Sequence, residues 1–383
     1  MNKVILFVLN ADWYFDLHWL DRANYLKAEG YEVHVALPEC RSHLIRKFES
    51  LKFTIHLFSM NRSKLNPIKE IFALLSLFKI INKIMPSIVH SVTIKPNLYS
   101  AVICKKLSIP LVSTYAGLGT LSTSDRLHYK ILRLLIFSVI KHSTTTHKNH
   151  ALFENDVDRN FLIKNKTYSM ENSSRVFGAG IDIDKFKFIP QDYDSLHNPK
   201  FSIFFASRLL KDKGLDTLVS AVKELKSAGM NMELKVAGII DDASPLAIPY
   251  DKIEEYKHDD DIEWLGERND ICKLIEGCHA VILPTRYGEG VPRILIESAA
   301  IGRPMITTDL GGCSDICIHG DTGFIVRPGN VEDLKHEIIR LNNDRELLAN
   351  LGRNGRKLME RLFSNETVFS KHLDTYNKVM KQR

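Results

Sequence analysis

No Gly-x-Gly-x-x-Gly occurs anywhere in the chain, so the fingerprint of a dinucleotide fold is missing. No run of ~18 or more apolar residues is present, and nothing in the sequence reads as a membrane span. Cysteine is sparse: Cys40, Cys104, Cys272, Cys278, Cys313 and Cys317 are scattered, without histidines at zinc-finger spacing. They read as buried thiols of a reducing cytoplasm. The opening Met1–Asn10 lacks a small-residue cleavage site and reads as a first strand rather than a signal peptide. Acidic residues are scarcest in 51–150, which holds 2 Asp+Glu against 14 Lys+Arg. The overall charge of +6 thus hides an asymmetry, +11 over residues 1–190 and −5 over the remainder. Such an excess points to a polyanion, either nucleic acid or an anionic membrane face. A length of 383 residues suits two domains better than one core.

What is present is organised around 280–304. Ala280–Leu283 reads as a buried parallel strand, Gly288 and Gly290 as a tight loop, and Pro292 as the first residue of a helix stopped by Gly302 and Pro304. The start of such a helix carries free N–H groups and partial positive charge, a natural seat for a diphosphate. Glu289 lies in the loop and Glu297 about 7 Å up the helix, at ~1.5 Å rise per residue. A carboxylate accepts hydrogen bonds, so Glu289 is read as holding a hexose and Glu297 a ribose of a nucleotide sugar. Upstream, Arg208, Lys213 and Gly214 follow another apolar strand and supply cations for the same phosphates. Arg268, in a loop after a further strand, is a neighbour for the base.

The first half opens as βαβ, with strands at 4–9 and 31–37 around a helix at 16–29. Its first loop, Asn10–Phe15, has no glycine. Further strands are read at 53–58, 87–90, 109–113 and 143–146, with helices at 67–85 and 127–141. The helix at 67–85 has a wide apolar face; that at 127–141 is apolar nearly all round and reads either as a buried core helix or as a surface helix on an anionic bilayer, and the basic excess of this half favours a membrane surface over RNA binding. His90 reads as structural, and Lys95, at a strand's carboxyl end, as a partner for an anionic ligand. Three Asp-x-Asp pairs, at 156, 182 and 192, are no more than acid-bearing loops produce by chance.

Together, Ser207-Arg208, Lys213-Gly214, Trp264–Arg268, Glu289-x7-Glu297, Gly302-Arg-Pro304 and Gly320–Phe324 resemble the family 4 glycosyltransferases. The first half fits more loosely, through Ile88–His90, Lys95-Pro96, Gly117-Leu-Gly119 and Gly178–Asp182. The resemblance implies an α/β GT-B architecture of two Rossmann-like domains. These are expected at 1–188 (acceptor) and 189–364 (nucleotide sugar), with a helix at 365–383 crossing back. It implies a retaining hexosyltransferase of capsule or O-antigen synthesis, with a lipid-linked saccharide as acceptor and a UDP-sugar as co-substrate. No metal or other cofactor is expected, and no nucleic acid partner. Arg208, Lys213 and Glu289 take the catalytic roles, with Glu297, Gly290, Val291, Pro292 and Arg268 binding the donor. Asp12, Lys95 and Gly117 fall on the acceptor side, where the chain departs from relatives carrying Gly-Gly in the first loop. The expected place is the cytoplasm, peripheral on the inner face of the cell membrane. A nucleotide-sugar 2-epimerase and a membrane- or RNA-binding scaffold are the alternatives.

Overall fold

The computed structural model describes residues 3–61, 66–118, 121, 126–145, 148–191, 200–241, 244–288 and 290–381. They form two compact units, one of residues 1–179 with 366–383 and one of 180–365.

The first unit is built on β1 (Lys3–Val8), β2 (Tyr31–Leu37), β3 (Thr54–Leu57), β4 (Ile88–Val92), β5 (Leu111–Tyr115), β6 (Asn149–Phe153) and β7 (Ser173–Arg175). All pair in parallel, in the order β3-β2-β1-β4-β5-β6-β7. Its central strands β4 and β5 are buried along their whole length because helices cover both faces. One core lies under the helices at 12–28, 42–50 and 365–381, and gathers Phe7, Phe15, Trp19 and Tyr376. Helices Pro67–Ile84, Ile94–Leu107 and Leu127–Thr144 cover the opposite cores.

The expected helix 16–29 is two helices, Asp12–His18 and Leu20–Ala28. The chain leaves helical geometry at Trp19, whose indole is buried beneath the Arg22 guanidinium at 3.9 Å. The expected strand at 143–146 is also corrected: Ser143 and Thr144 end the helix Leu127–Thr144, and β6 begins at Asn149. There the Thr144 and Thr145 hydroxyls donate back to the carbonyls of Ile140 and Lys141, satisfying the last turn locally.

The domain boundary lies at 179/180 rather than 188/189. Residues 181–189 are tied into the second unit, where Arg356 Nη1 donates to the carbonyls of Phe186 at 2.7 Å and Ala300 at 3.0 Å. The helix Asn365–Lys381 belongs with the first unit.

That helix is locked by a buried polar cluster. His90 Nε2 bonds Thr114 Oγ1 at 2.7 Å, and Nδ1 bonds the Tyr376 hydroxyl. His372 Nδ1 lies 2.8 Å from the Val368 carbonyl. Burial, with the charge of Arg22, holds both imidazoles well below the ordinary histidine range, hence neutral. Unfolded histidines titrate near ~6.5, so below that pH the unfolded chain binds more protons than the folded one. The first unit should therefore lose stability as pH falls through that window, by up to ~1.4 kcal/mol per pH unit for each ring. Urea midpoints at pH 7.5 and 5.5 measure this, and equal midpoints would mean the rings are not held neutral.

The second unit holds β8 (Phe201–Arg208), β9 (Met232–Ile239), β10 (Ile262–Gly266), β11 (Ala280–Leu283), β12 (Met305–Thr308) and β13 (Gly323–Val326). Its parallel sheet runs β10-β9-β8-β11-β12-β13. Arg303, nearly fully buried, staples this unit by donating to the carbonyls of Ile189 at 2.7 Å and Glu276 at 2.8 Å.

Candidate active site

Because every strand of the second sheet is parallel, all the carboxyl ends lie along one edge. Strand order reverses between β8 and β11, the switch point at which open α/β sheets bind ligands. Arg208 ends β8, and Lys213 closes a single 3-10 turn, Lys211–Lys213. Across the switch point, β11 runs into Pro284–Gly288 and on to the helix Arg293–Ile301. Pro292 is the N-cap rather than the first helical residue, and its carbonyl accepts from Leu295 and Ile296.

The two sides are stitched together. Arg286 N donates to the Asp212 carbonyl at 2.7 Å and Thr285 Oγ1 to the same oxygen at 3.1 Å. Arg286 Nη2 reaches the Asp216 carboxylate and Thr217 Oγ1, each at 2.6 Å. Gly214 (φ +77°) lies so close that a Cβ would fall 2.0 Å from the Pro284 carbonyl oxygen. A third loop, after β12, packs on the glycine loop: a Cβ on Gly312 would fall 1.9 Å from the Gly290 oxygen. Arg208, Lys213, Gly290, Val291 and Pro292 are thus carried by loops fixed against one another.

Cations at this edge are paired with carboxylates. Arg208 Nη1 donates to Asp241 Oδ2 at 2.8 Å, with a third of its side chain exposed. Lys213 is buried to within 8%. Glu297 is buried at the second turn of the helix, its Oε1 accepting from Arg293 Nε at 2.7 Å. Burial pushes its carboxyl above the ordinary range, and Arg293 pulls it back. Arg268 stands at the end of the edge strand β10, in an exposed bidentate pair with Asp270. Glu289 lies outside the described residues.

On the first unit, Asp12, Lys95 and Gly117 follow β1, β4 and β5 at one sheet edge. The Lys95 charge is met by Glu70 Oε1 at 2.8 Å and the Asn61 carbonyl at 2.7 Å. The Asp12 carboxylate is buried and bonded to Arg41. Beside Gly117, Leu118 N donates to Asp158 Oδ2 at 3.1 Å. The first two Asp-x-Asp pairs are also accounted for. Asp156 bonds Arg175, Asp158 accepts from Nδ2 of the N-cap Asn155, and Asp182 accepts from the backbone of Asp184 and Lys185. Asp192 and Asp194 lie outside the described residues.

Two family models match the chain. The one described as glycosyl transferases group 1 covers residues 188–358, and the one described as glycosyl transferase 4-like covers 4–143. The chain is a glycosyltransferase. It is 25% identical to the capsular polysaccharide biosynthesis glycosyltransferase CapM of Staphylococcus aureus, over 94% of this chain and 93% of that one. It is 24% identical to the N,N'-diacetylbacillosaminyl-diphospho-undecaprenol alpha-1,3-N-acetylgalactosaminyltransferase of Campylobacter jejuni, over 93% of each. The fold matches that of HepE from Anabaena, solved with UDP and glucose, at a TM-score of 0.77 and 17% identity over 98% of this chain and 100% of that one. A Rickettsia africae glycosyltransferase superposes equally well, at 0.77 and 20% identity over all of both chains. The architecture is GT-B.

The glycosyltransferase's stitching residues were missed by sequence reasoning. Asp212 sits between Lys211 and Lys213, and Arg286 two residues before Gly288, so position alone marked both. Asp241, the partner of Arg208, had no signal beyond its place after β9.

Proposed function

We propose that this glycosyltransferase moves a hexose or N-acetylhexosamine from a UDP-sugar onto a polyprenyl-diphosphate-linked saccharide. The transfer retains anomeric configuration, needs no metal, and builds a capsule or O-antigen repeat. The observation that carries the reading is the meeting of Arg208, Lys213 and the start of the helix Arg293–Ile301 at the switch point. As the anomeric bond breaks, negative charge grows on the diphosphate and positive charge on the sugar ring. Preorganised cations and backbone N–H groups stabilise the first in place of a divalent ion. Glu297 keeps Oε2 without a bond among the described residues, which suits a ribose hydroxyl. The roles written into the names of the Campylobacter and Staphylococcus relatives support the acceptor and the product.

The test is incubation with a panel of radiolabelled UDP- and GDP-sugars and membranes bearing lipid-linked intermediates. Label should pass from a UDP-sugar to lipid and continue to do so in excess EDTA. Loss in EDTA restored by Mn²⁺ would reject the metal-free reading, and free nucleotide released without lipid labelling would favour the epimerase.

The acceptor places the enzyme at a membrane. Among the described residues no helix is long and apolar enough to cross one. Instead, two helices of the first unit turn apolar side chains outward: Ile68, Ile71, Phe72 and Leu75 on one, Leu127, Ile131, Leu134 and Leu135 on the other, all at least half exposed. Both pack beside the helix Ile94–Leu107, and Lys69, Lys79, Lys105, Lys106, Arg126 and Lys130 ride on the three. An apolar face rimmed by cations suits an anionic leaflet. The protein should float with anionic vesicles and not with neutral ones, and Leu134→Glu/Leu135→Glu should weaken this at least tenfold. Equal recovery in both vesicle types would refute the membrane assignment.

A further inference from the structure

A cavity of about 310 Å³ opens at the carboxyl ends of β1 and β2, lined by Asp12, Trp13, Glu39, Cys40 and Arg41. Asp12 is spent within the protein. Its Oδ2 accepts from Arg41 N and Arg41 Nε, both at 2.9 Å, and its Oδ1 from Trp13 N at 2.6 Å. These bonds pin the loop after β2 to the start of the helix Asp12–His18 and hold the guanidinium by its Nε edge. Its Nη1 and Nη2 make no bond among the described residues, and the side chain is 54% exposed. Trp13 is half-buried, its ring set by a T-shaped contact with Tyr14 at 5.7 Å. Glu39 is exposed at the rim. Burial, with Asp12 nearby, pushes the Cys40 thiol up to about 11, so this site offers no thiolate nucleophile.

This set of groups has a chemical address. An indole face stacks on the C–H face of a pyranose, a carboxylate accepts from sugar hydroxyls, and a guanidinium fork takes two phosphate oxygens. The volume is at the small end for a ligand pocket and suits one sugar with a phosphate. We propose that the cavity is a glycosyl-phosphate subsite: Trp13 stacks the ring, Glu39 accepts from its hydroxyls and Arg41 binds the phosphate. Asp12 is then a positioning residue for Arg41 rather than a ligand contact. The inference rests on the transfer reading, which supplies such a group as the reducing end of a lipid-linked acceptor. It assigns the first loop, Asn10–Phe15, to reading that end.

The test uses the full chain labelled with 5-fluorotryptophan, whose three tryptophans give separate ¹⁹F resonances, with Trp13 identified by its loss in Trp13→Phe. N-acetylglucosamine 1-phosphate should shift the Trp13 resonance saturably. Arg41→Gln should weaken this at least tenfold while leaving the weaker binding of neutral N-acetylglucosamine unchanged. Trp13→Ala, read by titration calorimetry beside the wild type because it has lost its own resonance, should weaken both, with the thermal midpoint checking that each variant is folded. A prenyl diphosphate-linked sugar that binds more tightly than the free glycosyl phosphate identifies the lipid-linked source; equal binding identifies the free one, and both support the subsite. No shift at Trp13, or unchanged affinity in Arg41→Gln, would overturn the proposal. Diphosphate alone binding as well as the glycosyl phosphate would also overturn it. UDP affinity, measured in parallel, should be the same in every variant; absence of UDP binding would fault the transfer reading and leave this subsite standing.

Discussion

Replacing Arg208 or Lys213 by alanine is expected to slow sugar transfer about a hundredfold or more while the fold survives. Removing one preorganised donor from a site where charge develops typically costs ~3 kcal/mol, roughly a hundredfold in rate. The structure adds two controls. Arg208 is paired with Asp241, so its loss also removes an ion-pair partner of that carboxylate, and Asp241→Asn should cost far less activity than Arg208→Ala. Lys213 is buried, so alanine removes packing as well as charge. Lys213→Met keeps most of the packing and should be as slow as Lys213→Ala. Steady-state kinetics beside thermal melts separate these effects; wild-type kcat in a folded Lys213→Met would reject the charge assignment.

A second large effect is expected from one methyl group. In Gly312→Ala the new Cβ has nowhere to go, because the Gly290 carbonyl oxygen lies 1.9 Å from its ideal position and the next contact is backbone as well. The clash falls on the loop that leads into the helix Arg293–Ile301, so relief must move the donor site. Overpacking of this kind costs ~1–3 kcal/mol, which lowers the midpoint of a unit this size by roughly 3–10 °C. Transfer should fall at least tenfold, mostly through weaker donor binding. Calorimetry and UDP titration measure the two together. An unshifted midpoint with normal UDP affinity would show that the loops are not packed as described.

How much of this was legible in the sequence follows from what each signal depends on. The parallel strands β1 and β11 stood out because burial on both faces leaves almost no polar residue in them. The strand–glycine loop–helix at 280–302 was equally plain, since Gly290, Pro292 and Gly302 each answer a local backbone demand. The domain boundary was displaced because the polar run after Ile189 imitates a linker. What decides the boundary is instead a set of long-range bonds from Arg356 to carbonyls 170 or more residues away. Lys95 looked open for the same reason: its partner Glu70 lies 25 residues upstream on another helix. Trp19 broke a helix whose periodicity gave no warning, because the cause is the tertiary burial of one large ring. Charge partners and tertiary contacts have no local signature, whereas turns, caps and buried strands do.

The central claim is that the leaving nucleotide's diphosphate is caught between Arg208, Lys213 and the start of the helix at Arg293. A crystal of the full chain soaked with UDP tests it most directly. Diphosphate density is expected within hydrogen-bonding reach of both cations and the backbone N–H groups at that helix start. Diphosphate bound away from the β8/β11 switch point, or held there by a metal ion with Arg208 and Lys213 turned aside, would contradict it.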